Sequence, residues 1–180
     1  MVMGDFFCNS DLRSQPDTPR YAPNMVLTVG NVMMGDDGAG PLLAERLQSE
    51  PVHDWVAIDG GAIPENAVHS LRAAPPQRLL VVDATDMGLA PGEIRIVDPQ
   101  RIAEDMLMNT HSLPLSFMID TLAEFIPEVI FIGIQPAVVA FYCPISGEVV
   151  RAVDQLYQRL SGWEAEGGFM RLAKHLPPVA

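Results

Sequence analysis

The sequence predicts an α/β domain, a parallel-cored sheet with helices on both faces, and three observations carry that reading. The first is a strand–glycine loop–helix unit over residues 25–44. Residues 25–29 form an apolar, β-branched run that stops at Gly30, and Gly38-Ala-Gly40-Pro41 opens an amphipathic helix. That helix sets Leu42, Leu43 and Leu47 on one side and Glu45, Arg46 and Gln48 on the other. The second is the run Leu79-Leu-Val-Val82, apolar on both faces as a central parallel strand covered by helices must be. The third is a repeat of that pattern at Val129-Ile-Phe-Ile132.

The remaining elements follow in order. Residues 1–24 are rich in Asp, Ser, Pro and Asn without periodicity and read as a mobile arm ahead of a single domain over 25–180, with Met25 an alternative start. Pro41 suits a first helical turn, where its missing N–H has no partner to lose. Trp55-Val-Ala-Ile58 is a second strand ending in Asp59-Gly60-Gly61, and residues 64–72 form a helix stopped by Pro75-Pro76. Residues 78–83 are the third strand. Residues 84–92 are too few for a helical crossover, which takes a dozen or more. The alternating stretch Glu93-Ile-Arg-Ile-Val97 should therefore run antiparallel at an edge. Helices are expected at 98–106 and 113–126, a fifth strand at 128–134, and a last helix at 147–160 carrying Val149, Val153, Leu156, Tyr157 and Leu160 at helical spacing. Trp163 and Phe169 should hold the tail to the body.

Composition narrows the function classes. At 180 residues and 48% hydrophobic content the chain has enough material for one substantial core. No apolar run approaches the ~20 residues of a membrane helix, and no charged-then-apolar leader opens the chain. Two cysteines, Cys8 and Cys143, make no disulfide framework, so the expected compartment is the reducing cytoplasm. A net charge of −12 disfavours nucleic acid and anionic membrane and suits a basic partner or a cation. The glycine loop is not a phosphate loop. It has no Lys and no complete G-x-G-x-x-G, and it puts Asp36 and Asp37 where phosphates would sit, which argues against a nucleotide or flavin binder. Carboxylates at a helix start cap it or attract cations, so one of the pair is expected to cap the helix and the other to be functional.

Several stretches carry a family resemblance. Gly30-Asn-Val-Met-Met-Gly-Asp-Asp-Gly-Ala-Gly40 resembles the opening motif of the hydrogenase maturation endopeptidases. Asp59-Gly-Gly-Ala-Ile-Pro-Glu-Asn66, the run from Val82 to Asp98, Thr110-His-Ser-Leu-Pro114 and Ile132-Gly-Ile-Gln-Pro136 are similar to the branch that processes the large subunit of hydrogenase 3. The similarity spans about residues 25–173. It implies a three-layer α/β/α domain with a mixed five-stranded sheet of order 2-1-3-5-4, strand four antiparallel. It also implies an enzyme that removes the C-terminal extension of a nickel-iron hydrogenase large-subunit precursor after nickel insertion.

With order 2-1-3, the ligand crevice of a doubly wound sheet lies between strands one and three. The loops there carry Asp36/Asp37 and Asp83/Asp86, so two carboxylate loops should face each other, repel, and raise a pKa unless a cation or a histidine intervenes. His53, His69 and His175 read as ordinary surface histidines, whereas His111, in a loop ahead of a helix, can reach over the crevice. Carried over residue by residue, the resemblance makes Asp37, Asp83 and His111 the metal ligands and the residues of the reaction. The metal is nickel brought by the precursor, although zinc or cadmium suits the same donors. Asp36 is expected to cap the helix, Asp86 to hold its loop, and Asp59 either to shape a peptide groove or to make a turn. Met33 and Met34 offer an adaptable apolar surface for a peptide or fill core. Cys143 has no histidine near it in sequence. A nickel-binding chaperone or metallosensor without catalysis uses the same three residues and is the competing reading. Loss of mass from a nickel-loaded precursor separates the two.

Overall fold

A computed structural model describes residues 24–98, 112–163 and 178. Strand β1 (Asn24–Thr28) leads through a 3-10 turn (Gly35–Gly38) into α1 (Ala39–Ser49). There follow β2 (Trp55–Asp59), α2 (Asn66–Ala73), β3 (Arg78–Ala84) and β4 (Ile94–Ile96). The chain continues through α3 (Ser112–Ala123), β5 (Glu128–Ile134) and α4 (Gly147–Ser161). The five strands form one sheet of order β2-β1-β3-β5-β4. β1 pairs in parallel with both β2 and β3, and β3 with β5. β4 pairs antiparallel with β5 through Ile94–Ile134 and Ile96–Ile132. This is the expected mixed sheet, and β4 is reversed for the expected reason, since the connection before it is too short to return to the starting end of the sheet. The helix expected at 98–106 and the arm expected at 1–24 fall on residues outside those described, except that Asp98 ends a described loop and Asn24 already belongs to β1.

Period-two alternation splits the apolar strand residues between two cores. Val26, Leu80, Val82, Ile130 and Ile132 face α1 and α4, where Leu43, Leu47, Val153 and Leu156 meet them. Leu27, Leu79, Val81 and Phe131 face α2 and α3, where Leu71, Met118, Ile119 and Leu122 close the other side. Leu79, Leu80, Val81 and Val82 are all fully buried. At about 25 cal/mol per Å² of apolar surface, these central strands are the main stabilising block of the molecule. The register also sets the site. Thr28 pairs with Val82, and Val29 N–H donates to the Val82 carbonyl at 2.8 Å. Asp83 therefore stands level with the start of the loop that carries Asp37.

Candidate active site

The loop after β1 is shaped by close backbone approach. Gly30 has φ +136°, and a Cβ there would lie 1.9 Å from the Asp37 carbonyl oxygen. A Cβ on Gly40 would lie 2.1 Å from the Val29 carbonyl oxygen, so α1 starts pressed against the end of β1. The loop folds back on itself as Asn31 N–H donates both to the Asp37 carbonyl, at 3.1 Å, and to its carboxylate Oδ2, at 2.8 Å. The Asn31 side-chain oxygen accepts from Met33 N–H at 2.9 Å. The glycines of the motif are thus requirements of the fold that aim Asp37 at the crevice.

Asp37 and Asp83 lie near enough for the charge of one to act on the other. Burial raises the Asp37 carboxyl above the ordinary range, against the pull of the Asn31 N–H. Burial first, and the Asp37 charge second, push Asp83 up to about 7, with one Ala84 backbone N–H opposing them. Near neutral pH Asp83 is therefore poised to gain or lose its proton beside the Asp37 carboxylate. The third expected ligand, His111, lies outside the described residues. Among the described residues no group of three His, Cys, Asp or Glu side chains is assembled to hold a metal. The donors present fit a borderline divalent ion with open positions, since two carboxylates leave room for a nitrogen ligand and for substrate.

Asp36 does something other than expected. Neither the 3-10 turn nor α1 has a side-chain cap. The Asp36 side chain is wholly buried and turns away, accepting from Ala137 N–H at 2.7 Å, Val138 N–H at 2.9 Å and Ser146 N–H at 2.5 Å. Its own N–H donates to the Val138 carbonyl at 3.0 Å. It ties the first loop to the entry of α4, whose N-cap is Ser146. Burial raises its carboxyl, but the donors outweigh that and hold it below the ordinary value. A pattern of two adjacent acids before a helix contains no sign of partners a hundred residues away, which is why the cap was the natural expectation.

The other candidates sort cleanly. Asp59 makes a turn, accepting from Gly61 N–H at 2.9 Å, and also lines a pocket of about 340 Å³ with Val32, Leu42, Glu45, Cys143 and Ile145. Asp86 holds its loop by accepting from Gly88 N–H and from Gln135 Nε2, both at 3.1 Å. His53 is exposed beside Asp54, and His69 is exposed on α2. Gln135 was not singled out from sequence. It is buried at the end of β5, and its Oε1 accepts from Met87 N–H at 2.7 Å and Leu89 N–H at 3.2 Å. That clamp fixes the loop following Asp83. The one signal for it was a lone amide closing an otherwise apolar strand.

Comparison with known proteins places the chain in a family. Residues 41–163 match the family model for HycI, hydrogenase maturation protease. The hydrogenase 3 maturation protease of Escherichia coli K12 is 58% identical over 150 residues, which is 83% of this chain and 96% of that one. This chain belongs to the hydrogenase maturation protease family. It is therefore a protease by membership. The solution structure of the endopeptidase HycI from E. coli superposes with a TM-score of 0.76 at 54% identity, covering 87% of this chain and 96% of that one. A [NiFe] hydrogenase maturation protease HycI from Thermococcus kodakarensis gives 0.70 at 27% identity, over 78% and 91%.

Proposed function

We propose that this protein is the endopeptidase that removes the C-terminal extension from a nickel-iron hydrogenase large-subunit precursor once nickel has been inserted, reading the nickel through Asp37, Asp83 and His111. The observation that carries the reading is the pair of carboxylates supplied by the turn after β1 and by the end of β3, with Asp83 held near a pKa of about 7. Family membership and the 58% identity to the hydrogenase 3 maturation protease support the substrate. Nickel here is part of the substrate, and its chemistry when bound is to polarise a carbonyl or a water. The chain's own contribution is to hold the ion with Asp37, fixed by the Asn31 N–H. Asp83 adds a group that gives up or takes a proton near neutral pH. No described helix is long and apolar enough to cross a membrane.

The test offers nickel-loaded and nickel-free precursor to the wild type and to Asp37→Asn, Asp83→Asn and His111→Ala, following the extension's loss by mass spectrometry. Loaded precursor should be cut by the wild type and left intact, or cut at least about a hundredfold more slowly, by each variant. Equal cleavage of nickel-free precursor would refute the reading of nickel. Cleavage of neither form would refute the substrate.

A further inference from the structure

The end of the sheet that holds the carboxylate pair differs from the rest of the surface in two independent ways. Among the described residues, the exposed large apolar side chains gather there: Val32, Met33, Val138, Val139, Phe141 and Tyr142, with Ile63 on the neighbouring loop. Elsewhere only Val56 and Phe117 are exposed in this way. The cluster is built as a unit. Asp36 fixes the backbone at 137 and 138, Tyr142 N–H donates to the Met33 carbonyl at 2.9 Å, and the Phe141 and Tyr142 rings touch with centroids 4.2 Å apart. Tyr142 is held at φ +58°, a left-handed conformation rare for an aromatic residue, which keeps its ring exposed on this face. The second difference is charge. The strand ends and loops over residues 28–38, 59–65, 83–93 and 134–146 carry Asp36, Asp37, Asp59, Glu65, Asp83, Asp86 and Glu93 and contain no Lys or Arg, and of these acids Glu93 is neutralised by Arg95 on β4. The pocket beside the cluster combines both properties, with apolar walls from Val32, Leu42 and Ile145 and carboxylates from Glu45 and Asp59. That combination suits a long cationic side chain, whose methylenes want apolar walls and whose tip wants an acid.

We infer that the face formed by Val32, Met33, Val138, Val139, Phe141 and Tyr142, with the adjoining Glu45/Asp59 pocket, docks a segment of the precursor in which apolar residues flank a Lys or Arg. The inference rests on the substrate proposed above and deepens it. Charge complementarity selects the occupant. A second copy of this chain would bring a like-charged acidic face, whereas a cationic apolar segment satisfies both the rim and the cluster. Its continuity with the Asp37 loop sets the docked segment beside the carboxylate pair.

The experiment measures processing of nickel-loaded precursor by the double variant Val139→Ser/Phe141→Ser, by Glu45→Lys, and by Phe117→Ser, an exposed apolar residue of α3 outside the cluster, as the control. Each side chain is exposed or on the surface of α1, so folding is checked by thermal melting and is expected to hold. Both surface variants should raise KM about tenfold while kcat stays within about twofold, and Phe117→Ser should change neither. Replacing the precursor's C-terminal Lys and Arg residues by Gln should raise KM for the wild type and have less effect on Glu45→Lys. If the wild type cuts the precursor and the variants keep its KM, the docking face is wrong and the proposed substrate stands. If the wild type leaves the precursor intact, both fall. If the variants shift sedimentation from dimer to monomer with KM unchanged, the face belongs to a second copy and the inference is overturned.

Discussion

Asp36, in the 3-10 turn, and Asp83, at the end of β3, are carboxylates with opposite thermodynamic consequences. Asp36 is depressed below its ordinary value of 3.8. A depressed carboxylate stabilises the fold at pH above the unfolded value, and that stability is lost as pH falls through the folded value. Asp36→Asn keeps one acceptor but aims an amide N–H at a backbone donor, leaving a buried group unsatisfied. The expected cost is about 2–3 kcal/mol at neutral pH, or about 2–4 °C of melting temperature per kcal/mol, and it should shrink in acid. A melting curve unchanged at pH 7 would show that the three donors find water instead. Asp83 goes the other way. Its folded value of about 7 exceeds 3.8, so between those two pH values the unfolded chain gives up a proton that the folded chain keeps. Stability then falls as pH rises through that window and is flat above it. Asp83→Asn should raise the melting temperature of metal-free protein at pH 8, with no gain at pH 3, while losing processing. A variant less stable than wild type at pH 8 would mean that the carboxylate is solvated or paired.

The elements themselves were largely legible. β3 and β5 announce themselves by apolar runs without alternation, because a strand buried on both faces has no polar position to spare. β4 follows from the length of the connection before it. Asp37 and Asp83 could be singled out because the glycine-rich turn after β1 and the acid at the end of β3 flank the crevice between neighbouring parallel strands, and the family resemblance points to the same two positions. The roles of Asp36 and Gln135 could not be read in this way, since each is defined by backbone groups far away in sequence, at 137–146 and 86–89. Periodicity reports which face of an element is buried and does not report which distant N–H a side chain will find. Gln135→Leu tests this at the level of the element. It keeps the volume but leaves the N–H groups of Met87 and Leu89 without their acceptor, so it should cost about 1–3 kcal/mol. Because the loop it holds follows directly from Asp83, kcat should fall more than the stability loss explains. Faster hydrogen exchange confined to residues 85–92 would locate the effect, and exchange spread evenly over the sheet would assign Gln135 to the core alone.

At the scale of the whole molecule, charge is segregated. Arg46, Arg72, Arg78 and Arg151 pair with Glu50 or Asp154, Glu124, Glu128 and Glu148. At the carboxylate end of the sheet Arg95 is taken up by Glu93, and Arg151 at the entry of α4 by Glu148, so the loops over 28–38, 59–65, 83–93 and 134–146 keep a surplus of acids and contain no Lys or Arg of their own. A net charge of −12 arranged in this way makes a directional field, attracting a cationic segment toward the crevice and repelling a like molecule. Salt screens such a field over about 8–10 Å at ionic strengths near 0.1–0.15 M and over about 3 Å at 1 M. The apolar contact with Phe141 and its neighbours is not screened. If the docking face is right, kcat/KM on nickel-loaded precursor should fall as sodium chloride is raised from about 0.05 to about 0.5 M and then level off, the plateau being the apolar share of binding. Glu45→Gln should flatten the early slope without moving the plateau. Val139→Ser/Phe141→Ser should lower the plateau and keep the slope. Stopped mass-spectrometric time courses at several salt concentrations separate the two contributions. A kcat/KM indifferent to salt would leave the apolar cluster as the whole of the attraction and remove the acidic rim from recognition.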